Sequence, residues 1–142
     1  RKCLSLLVNY FKEKRMTIKT IIFLDDEREI NDVTWVKYPL DHKVVHTVRT
    51  YLDFLSAVNT FIVENDTHLN EILFSFDHDI QDFKCGVERT GKHCAEYLCD
   101  IILVKGIDPL DLKYVVYSMN PVGKKNIVHY IEQFKEHFGG EN

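Results

Sequence analysis

The chain has 142 residues, of which 45% are hydrophobic and 28% are charged, as is ordinary for one globular domain with a substantial core. Its formal net charge of -4 argues against an extensive nucleic-acid-binding surface. The four cysteines show neither a CxxC pair nor a zinc-site spacing, and no apolar run is long enough to cross a membrane. We therefore expect a protein of the reducing cytoplasm without a membrane partner.

The first fifteen residues are predicted to form a separate element. Leu4, Leu7 and Phe11 fall on one face of a helix. The apolar stretch is too short for a signal peptide, and no cleavage site of small residues follows it. The pattern predicts an N-terminal helical extension over 1–15 and a single α/β domain over 16–142.

Within the domain, short apolar strands alternate with amphipathic helices. In chain order we predict a strand at 20–25, a long loop from 27 to 43, an edge strand at 43–48, a helix at 51–64, a strand at 72–77, a polar loop at 80–91, a helix capped by Thr90 and ended by Gly106, a strand at 113–118, and a helix from Asn120 to Gly139. Continuous apolar runs are typical of strands buried on both faces of a parallel sheet. With right-handed crossovers, this alternation predicts a small doubly wound α/β fold with a mainly parallel four-stranded sheet in the order 2-1-3-4.

Polar side chains that can bind metal or phosphate follow three of these strands. They are Asp25 and Asp26 after the first strand, Asp77, His78 and Asp79 after the third, and Ser118 and Asn120 after the fourth. Because the carboxyl ends of parallel strands share one edge, these side chains are expected in one ligand-binding crevice. Crowded carboxylates raise one another's pKa, and a hard divalent cation such as Mg²⁺ or Mn²⁺ relieves the crowding. We interpret the crevice as a metal-dependent phosphate site in which Asp25, Asp26 and Asp77 hold the metal.

Several of these side chains have a second interpretation that the sequence leaves open. The carboxylates are also compatible with solvated loop positions and helix caps, although their placement at two strand ends favours a site. His78 suits a general acid, but alternation along the chain can turn it away from Asp77 and Asp79 into a structural hydrogen bond. Trp35 and Tyr38 can either stack on a base or cover a sheet edge.

Candidate phosphate ligands lie near the same strand ends. Ser118, Asn120 and the first amides of the following helix form a possible phosphate cradle, which Gly123 would allow a ligand to approach closely. Asn120 before a proline is also a good helix cap that needs no ligand. Arg28 and Arg49 are candidate phosphate clamps, or ion-pair partners of the acidic cluster.

The strand-end residues resemble those of receiver domains in two-component signalling. In that family the acidic pair corresponding to Asp25 and Asp26 holds magnesium, the aspartate corresponding to Asp77 accepts a phosphoryl group, and a serine or threonine stands at the position of Ser118. A receiver, however, also has a fifth strand that ends in lysine and a helix as its first crossover. In this sequence no fifth strand is predicted after the fourth strand and its helix, and the first crossover is predicted to be a loop.

An offshoot, the cyclic-phosphate-processing receiver-like domain, is the closer match over residues 21–135. Besides a glycine at Gly91, its motifs resemble Leu24-Asp25-Asp26-Glu27-Arg28, Val48-Arg49-Thr50, Ser75-Phe76-Asp77-His78-Asp79 and Ser118-Met119-Asn120-Pro121-Val122-Gly123. One position departs from the family pattern, because a histidine is expected where this chain has Tyr117.

The resemblance implies metal-dependent hydrolysis or processing of a cyclic phosphate, specifically a 2′,3′-cyclic phosphate on a nucleotide or RNA end. Asp77, His78 and Asp79 would be the catalytic residues. Two alternatives remain, namely a signalling receiver phosphorylated on Asp77 and a non-catalytic protein that binds a cyclic nucleotide. Tyr117 in place of histidine keeps the second alternative open.

Overall fold

The computed structural model describes residues 17–41 and 43–140, so the expected extension over 1–15 lies outside the described residues. Its four strands form one all-parallel sheet in the order β2-β1-β3-β4, with β1 at Thr20–Leu24, β2 at Val44–Val48, β3 at Ile72–Phe76 and β4 at Lys113–Val116. The predicted α/β fold and strand order are confirmed. The strands β1, β3 and β4 end one or two residues earlier than predicted, so Asp25 and Asp77 directly follow their strands and Ser118 lies two residues after β4.

Three α-helices pack on one face of this sheet. They are α1 at Tyr51–Val58, α2 at Gly91–Val104 and α3 at Pro121–Phe138. Their apolar faces join the inward side chains of the strands in one core that includes Phe54, Phe74, Leu98 and Ile131. The predicted helix over 51–64 continues past α1 as a π-helix, Asn59–Glu64. None of the helices in the described part of the chain is long and apolar enough to cross a membrane.

The other face of the sheet is covered by the connection between β1 and β2. The helical element among its described residues is a short 3-10 helix, Ile30–Asp32, which agrees with the predicted loop. Ile30 and Val33 are buried against Phe23 and Tyr117 in a second apolar cluster. The sheet is therefore covered on both faces, with a loop where the other face has helices.

The start of α2 packs closely against the residues that follow β3. Thr90 is the N-cap of α2 as predicted, and its backbone amide donates to Nδ1 of His93 in the first turn of the helix at 2.8 Å. The Gly91 amide donates to the backbone oxygen of His78 at 2.8 Å. A Cβ at Gly91 would lie 1.7 Å from the backbone oxygen of Asp77, so only glycine fits this contact.

Candidate metal and phosphate site

Three carboxylates meet at the carboxyl end of the sheet. Asp25 and Asp26 follow β1, Asp77 follows the adjacent β3, and one oxygen of each lies within 4.8 Å of the other two. Asp25 is only 1% exposed and Asp77 only 7%. The predicted convergence of these three residues is confirmed, and the cluster can hold a divalent metal ion.

Asp25 is held by donors on both of its oxygens. Oδ1 accepts hydrogen bonds from the backbone amides of Glu27 at 2.8 Å and Arg28 at 2.7 Å. Oδ2 accepts one from the Tyr117 hydroxyl at 2.7 Å and lies 3.7 Å from Nη1 of Arg28. These contacts fix the orientation of the carboxylate and offset part of its charge.

The pKa values of the other two carboxylates, Asp26 and Asp77, are both raised. Burial raises the pKa of Asp77, and the nearby charge of Asp25 raises it further, although a hydrogen bond from Ser118 partly offsets this effect. Burial also raises the pKa of Asp26, and the negative charges of Asp25 and Glu27 add to the rise. A bound cation would favour the ionised form of both groups.

Asn120 links the start of α3 to the mouth of the crevice. Its Oδ1 accepts a hydrogen bond from the Gly123 amide at 3.0 Å, as expected for a helix cap. Its Nδ2 donates to Oδ2 of Asp79 at 3.0 Å, and its own amide donates to the Ser118 hydroxyl at 3.1 Å. The cap is thus present, and it also positions two predicted site residues.

His78 lies behind the crevice, whereas Asp77 and Asp79 line it. Its Nδ1 is 2.8 Å from Oδ1 of Asp79, and this hydrogen bond, followed by that of Asn120, lowers the pKa of Asp79. The ring packs against Gly123, where a Cβ would lie 2.3 Å from His78 Cγ. The hydrogen-bonding role is therefore visible, and the catalytic role of His78 and the phosphate contact of Gly123 stay predictions.

The two arginines occupy different positions. Arg28 lines the crevice, and its guanidinium carbon lies 5.6 Å above the Trp35 ring. Arg49 donates to the backbone oxygen of Arg28 at 2.5 Å and forms an ion pair with Glu29. Arg28 can therefore reach a ligand of the acidic cluster, whereas Arg49 braces the loop that carries it.

The crevice is a cavity of about 230 Å³, lined by residues from the ends of β1, β3 and β4. A larger cavity, about 790 Å³, opens at the opposite edge between Ile62, Asn70 and Lys105. In the part of the chain that the structure describes, the three-carboxylate group belongs to the smaller cavity. Chemistry rather than size therefore identifies the candidate site.

Tyr117, which the sequence singled out only as a departure from the family pattern, contacts the candidate metal ligand Asp25. It is 1% exposed, its ring stacks on Phe23 at a centroid distance of 5.1 Å, and its hydroxyl contacts Asp25 and the backbone oxygen of Leu24. Burial, followed by the hydrogen bond to Asp25, raises its pKa, so the hydroxyl remains a donor at neutral pH. Its position directly before Ser118, at the end of a strand, was the available signal.

Trp35 and Tyr38 were predicted either to stack on a base or to cover the sheet. Both make contacts that cover the sheet face opposite the helices. Trp35 Nε1 donates to the backbone oxygen of Tyr117 at 2.8 Å. The Tyr38 hydroxyl lies 2.7 Å from Ser75 Oγ, and its ring meets Phe23 edge-on. Their polar groups are thus committed to the sheet face opposite the helices.

A comparison with family models agrees with this fold. The model described as the cyclic-phosphate processing receiver domain matches residues 20–133, which include all four strands and the acidic cluster. The chain therefore belongs to this family, whose description associates it with cyclic-phosphate processing. No curated protein and no solved structure gives a significant match.

Proposed function

We propose that this protein hydrolyses a 2′,3′-cyclic phosphate, on a nucleotide or an RNA end, with the help of a divalent cation. The observation that carries the proposal is the convergence of Asp25, Asp26 and Asp77 within 4.8 Å in the same cavity as Ser118 and Arg28. A cyclic phosphate is an anion, and three carboxylates alone would repel it. The crevice becomes a phosphate site only when a cation neutralises them.

The donor set fits Mg²⁺ or Mn²⁺, because all three ligands are carboxylate oxygens and both ions prefer oxygen. The raised pKa values of Asp26 and Asp77 support this assignment, since a cation would favour their ionised forms. When bound, the ion would supply Lewis acidity to the phosphoryl group and lower the pKa of a coordinated water.

The remaining residues bind and orient the substrate. In hydrolysis, water attacks phosphorus, the bond from phosphorus to one ribose oxygen breaks, and that oxygen takes a proton, which leaves a phosphomonoester. We expect Arg28 to neutralise a non-bridging oxygen, and the side chains of Ser118 and Asn120, which line the same crevice, are candidate hydrogen-bonding partners for the others. The hydrogen-bonded pair of His78 and Asp79, whose carboxylate lines the crevice, can exchange the leaving-group proton with solvent.

One observation favours a second candidate, a non-catalytic protein that binds a cyclic nucleotide. His78, the histidine expected to act as general acid, packs against Gly123 and does not line the crevice. If no other group protonates the leaving oxygen, the same cation and arginine would bind a cyclic phosphate without turnover.

Phosphorus NMR of the purified protein with Mg²⁺ and 2′,3′-cyclic AMP separates the candidates. Hydrolysis predicts conversion to a nucleoside monophosphate, and the Asp77→Asn variant should lose it while Asp66→Asn, an exposed carboxylate at the opposite edge, keeps it. A shifted signal without conversion would support the binding protein. A covalent phosphoryl adduct on Asp77 after treatment with acetyl phosphate, with no hydrolysis, would instead support a signalling receiver.

A further inference from the structure

A second cavity adjoins the metal and phosphate site. It measures about 550 Å³, shares Asp26, Glu27 and Gln81 with the acidic crevice, and extends from there to Thr50 and Phe83. A ligand whose phosphate occupies the crevice can therefore extend into this second cavity. We call it the side cavity.

Phe83 presents an aromatic ring to the side cavity from a loop that is well anchored. The ring is 60% exposed, although Ile80, three residues earlier, is 2% exposed. Asp82 fixes the loop on both sides, since its Oδ2 accepts from the Tyr51 amide at 3.0 Å and its backbone oxygen accepts from the Arg89 amide at 2.7 Å. Phe83 is thus largely exposed although the adjacent Asp82 is hydrogen-bonded on both sides, next to the candidate site.

Gln81 lies at the junction of the two cavities with an unusual backbone conformation. Its φ is +48°, in the left-handed region that residues other than glycine, asparagine and aspartate rarely adopt. Such conformations cluster at functional sites, where the surrounding structure maintains them. Here the neighbours Ile80 and Asp82 are buried, and Gln81 lines both cavities.

We propose that the side cavity binds the base of a nucleoside phosphate whose phosphate group occupies the acidic crevice. Phe83 supplies an apolar face on which a base stacks, and the Gln81 amide supplies a donor and an acceptor for the ribose or the base edge. Trp35 is 46% exposed, but neither it nor Tyr38 lines the crevice or the side cavity, so among the described residues Phe83 supplies the aromatic ring of these two cavities.

The inference rests on the proposed function, and it narrows the substrate class. It assigns the site to cyclic phosphates that carry a nucleoside, as in a cyclic nucleotide or the last residue of an RNA. Cyclic phosphates of base-free polyols would lack the stacking contact with Phe83 and would bind more weakly.

Binding of two stable phosphomonoesters tests the subsite without depending on turnover. Isothermal titration calorimetry in Mg²⁺ compares adenosine 3′-monophosphate with glycerol 1-phosphate, which carries the same phosphate but no base. We expect the wild type to bind the nucleotide about tenfold more tightly, the scale of one base stacked on an aromatic side chain. Phe83→Ala should remove most of this preference, and Phe83→Tyr should keep it. Val104→Ala, which truncates an exposed side chain at the far end of α2, is the matched control.

Each outcome of the experiment has a defined consequence. Equal binding of the two ligands by the wild type, or a preference that survives in Phe83→Ala, would overturn the subsite. The subsite would also be overturned if the wild type forms a concentration-dependent dimer that Phe83→Ala abolishes, because the ring would then contact a second molecule of the protein. Kinetics with 2′,3′-cyclic AMP and glycerol 1,2-cyclic phosphate separate the two proposals. If the protein binds the nucleotide more tightly in a way that depends on Phe83 but hydrolyses neither substrate, only the proposal of hydrolysis is refuted. If it hydrolyses both substrates equally well, only the proposed base subsite is refuted.

Discussion

Replacing Tyr117 by phenylalanine tests whether a buried hydroxyl orients the candidate metal ligand Asp25. The substitution removes one oxygen and keeps the ring that stacks on Phe23. The oxygen lost is the donor to Asp25 Oδ2 at 2.7 Å, and it also contacts the backbone oxygen of Leu24. A hydrogen bond to a charged group contributes about 1.5–3 kcal/mol to stability. Because Arg28 and two backbone amides remain as partners of Asp25, we expect a loss near the lower end, about 1.5 kcal/mol.

The effect on metal binding distinguishes orientation from simple stability. Residues that hold a metal ligand in place typically change metal affinity by about 10- to 100-fold when they are replaced. We expect Tyr117→Phe to weaken Mn²⁺ binding by roughly tenfold, measured by titration of the folded protein, while urea unfolding gives the stability.

Tyr38→Phe is the matched control, since it removes the same atom from a tyrosine in contact with the same Phe23 ring. Its hydroxyl bonds Ser75 and does not contact Asp25. We expect a loss of about 1 kcal/mol and an unchanged Mn²⁺ affinity. Equal Mn²⁺ affinity in Tyr117→Phe and the wild type, or equal weakening in both variants, would refute the orienting role.

Three further predictions address charge, packing and domain limits. Because burial and Asp25 raise the folded-state pKa of Asp77, metal-free stability falls as pH rises through that pKa. Asp77→Asn should therefore raise the metal-free melting temperature at pH 7 and abolish the increase in melting temperature that Mg²⁺ causes. It should also lower the rate of hydrolysis about 100-fold or more. A melting temperature that still increases with Mg²⁺ would contradict the assignment of Asp77 as a metal ligand. Gly123→Ala should cost about 1–3 kcal/mol in urea unfolding, because its Cβ would overlap the His78 ring, and an unchanged stability would contradict this packing. A chain that begins at Met16 is expected to fold cooperatively, and an insoluble product would show that the preceding residues belong to the core.

The convergence of the acidic residues could be predicted because it depends on topology alone. In a parallel sheet, residues that follow adjacent strands must lie at one edge, so the apolar runs before Asp25 and Asp77 were sufficient to bring them together. The start of α3 at Asn120 could be predicted for a different reason, because a helix cap depends only on residues that are adjacent in sequence.

The directions of individual side chains could not be predicted from sequence patterns, because they depend on contacts between residues that are distant in sequence. His78 turns towards Asp79 and the space left by Gly123, which belongs to another helix. Arg49 turns towards Glu29 because the loop after β1 brings that carboxylate and the backbone oxygen of Arg28 within reach. Both arrangements follow from loop geometry, for which the sequence offers no periodic signal.

The loop that replaces a helix on one sheet face also organises the site. It begins directly after Asp26, and its residue Trp35 both donates to the Tyr117 backbone and lies under the Arg28 guanidinium. Tyr117 in turn holds Asp25, so the apolar cluster under the loop is connected to both a candidate metal ligand and a candidate phosphate ligand. A full helix in this position would cover the sheet equally well, but it would not carry Arg28 and Trp35 in the same arrangement. The departure from the receiver pattern is therefore coupled to the chemistry of the crevice, and core substitutions under this loop should act on the site as well as on stability.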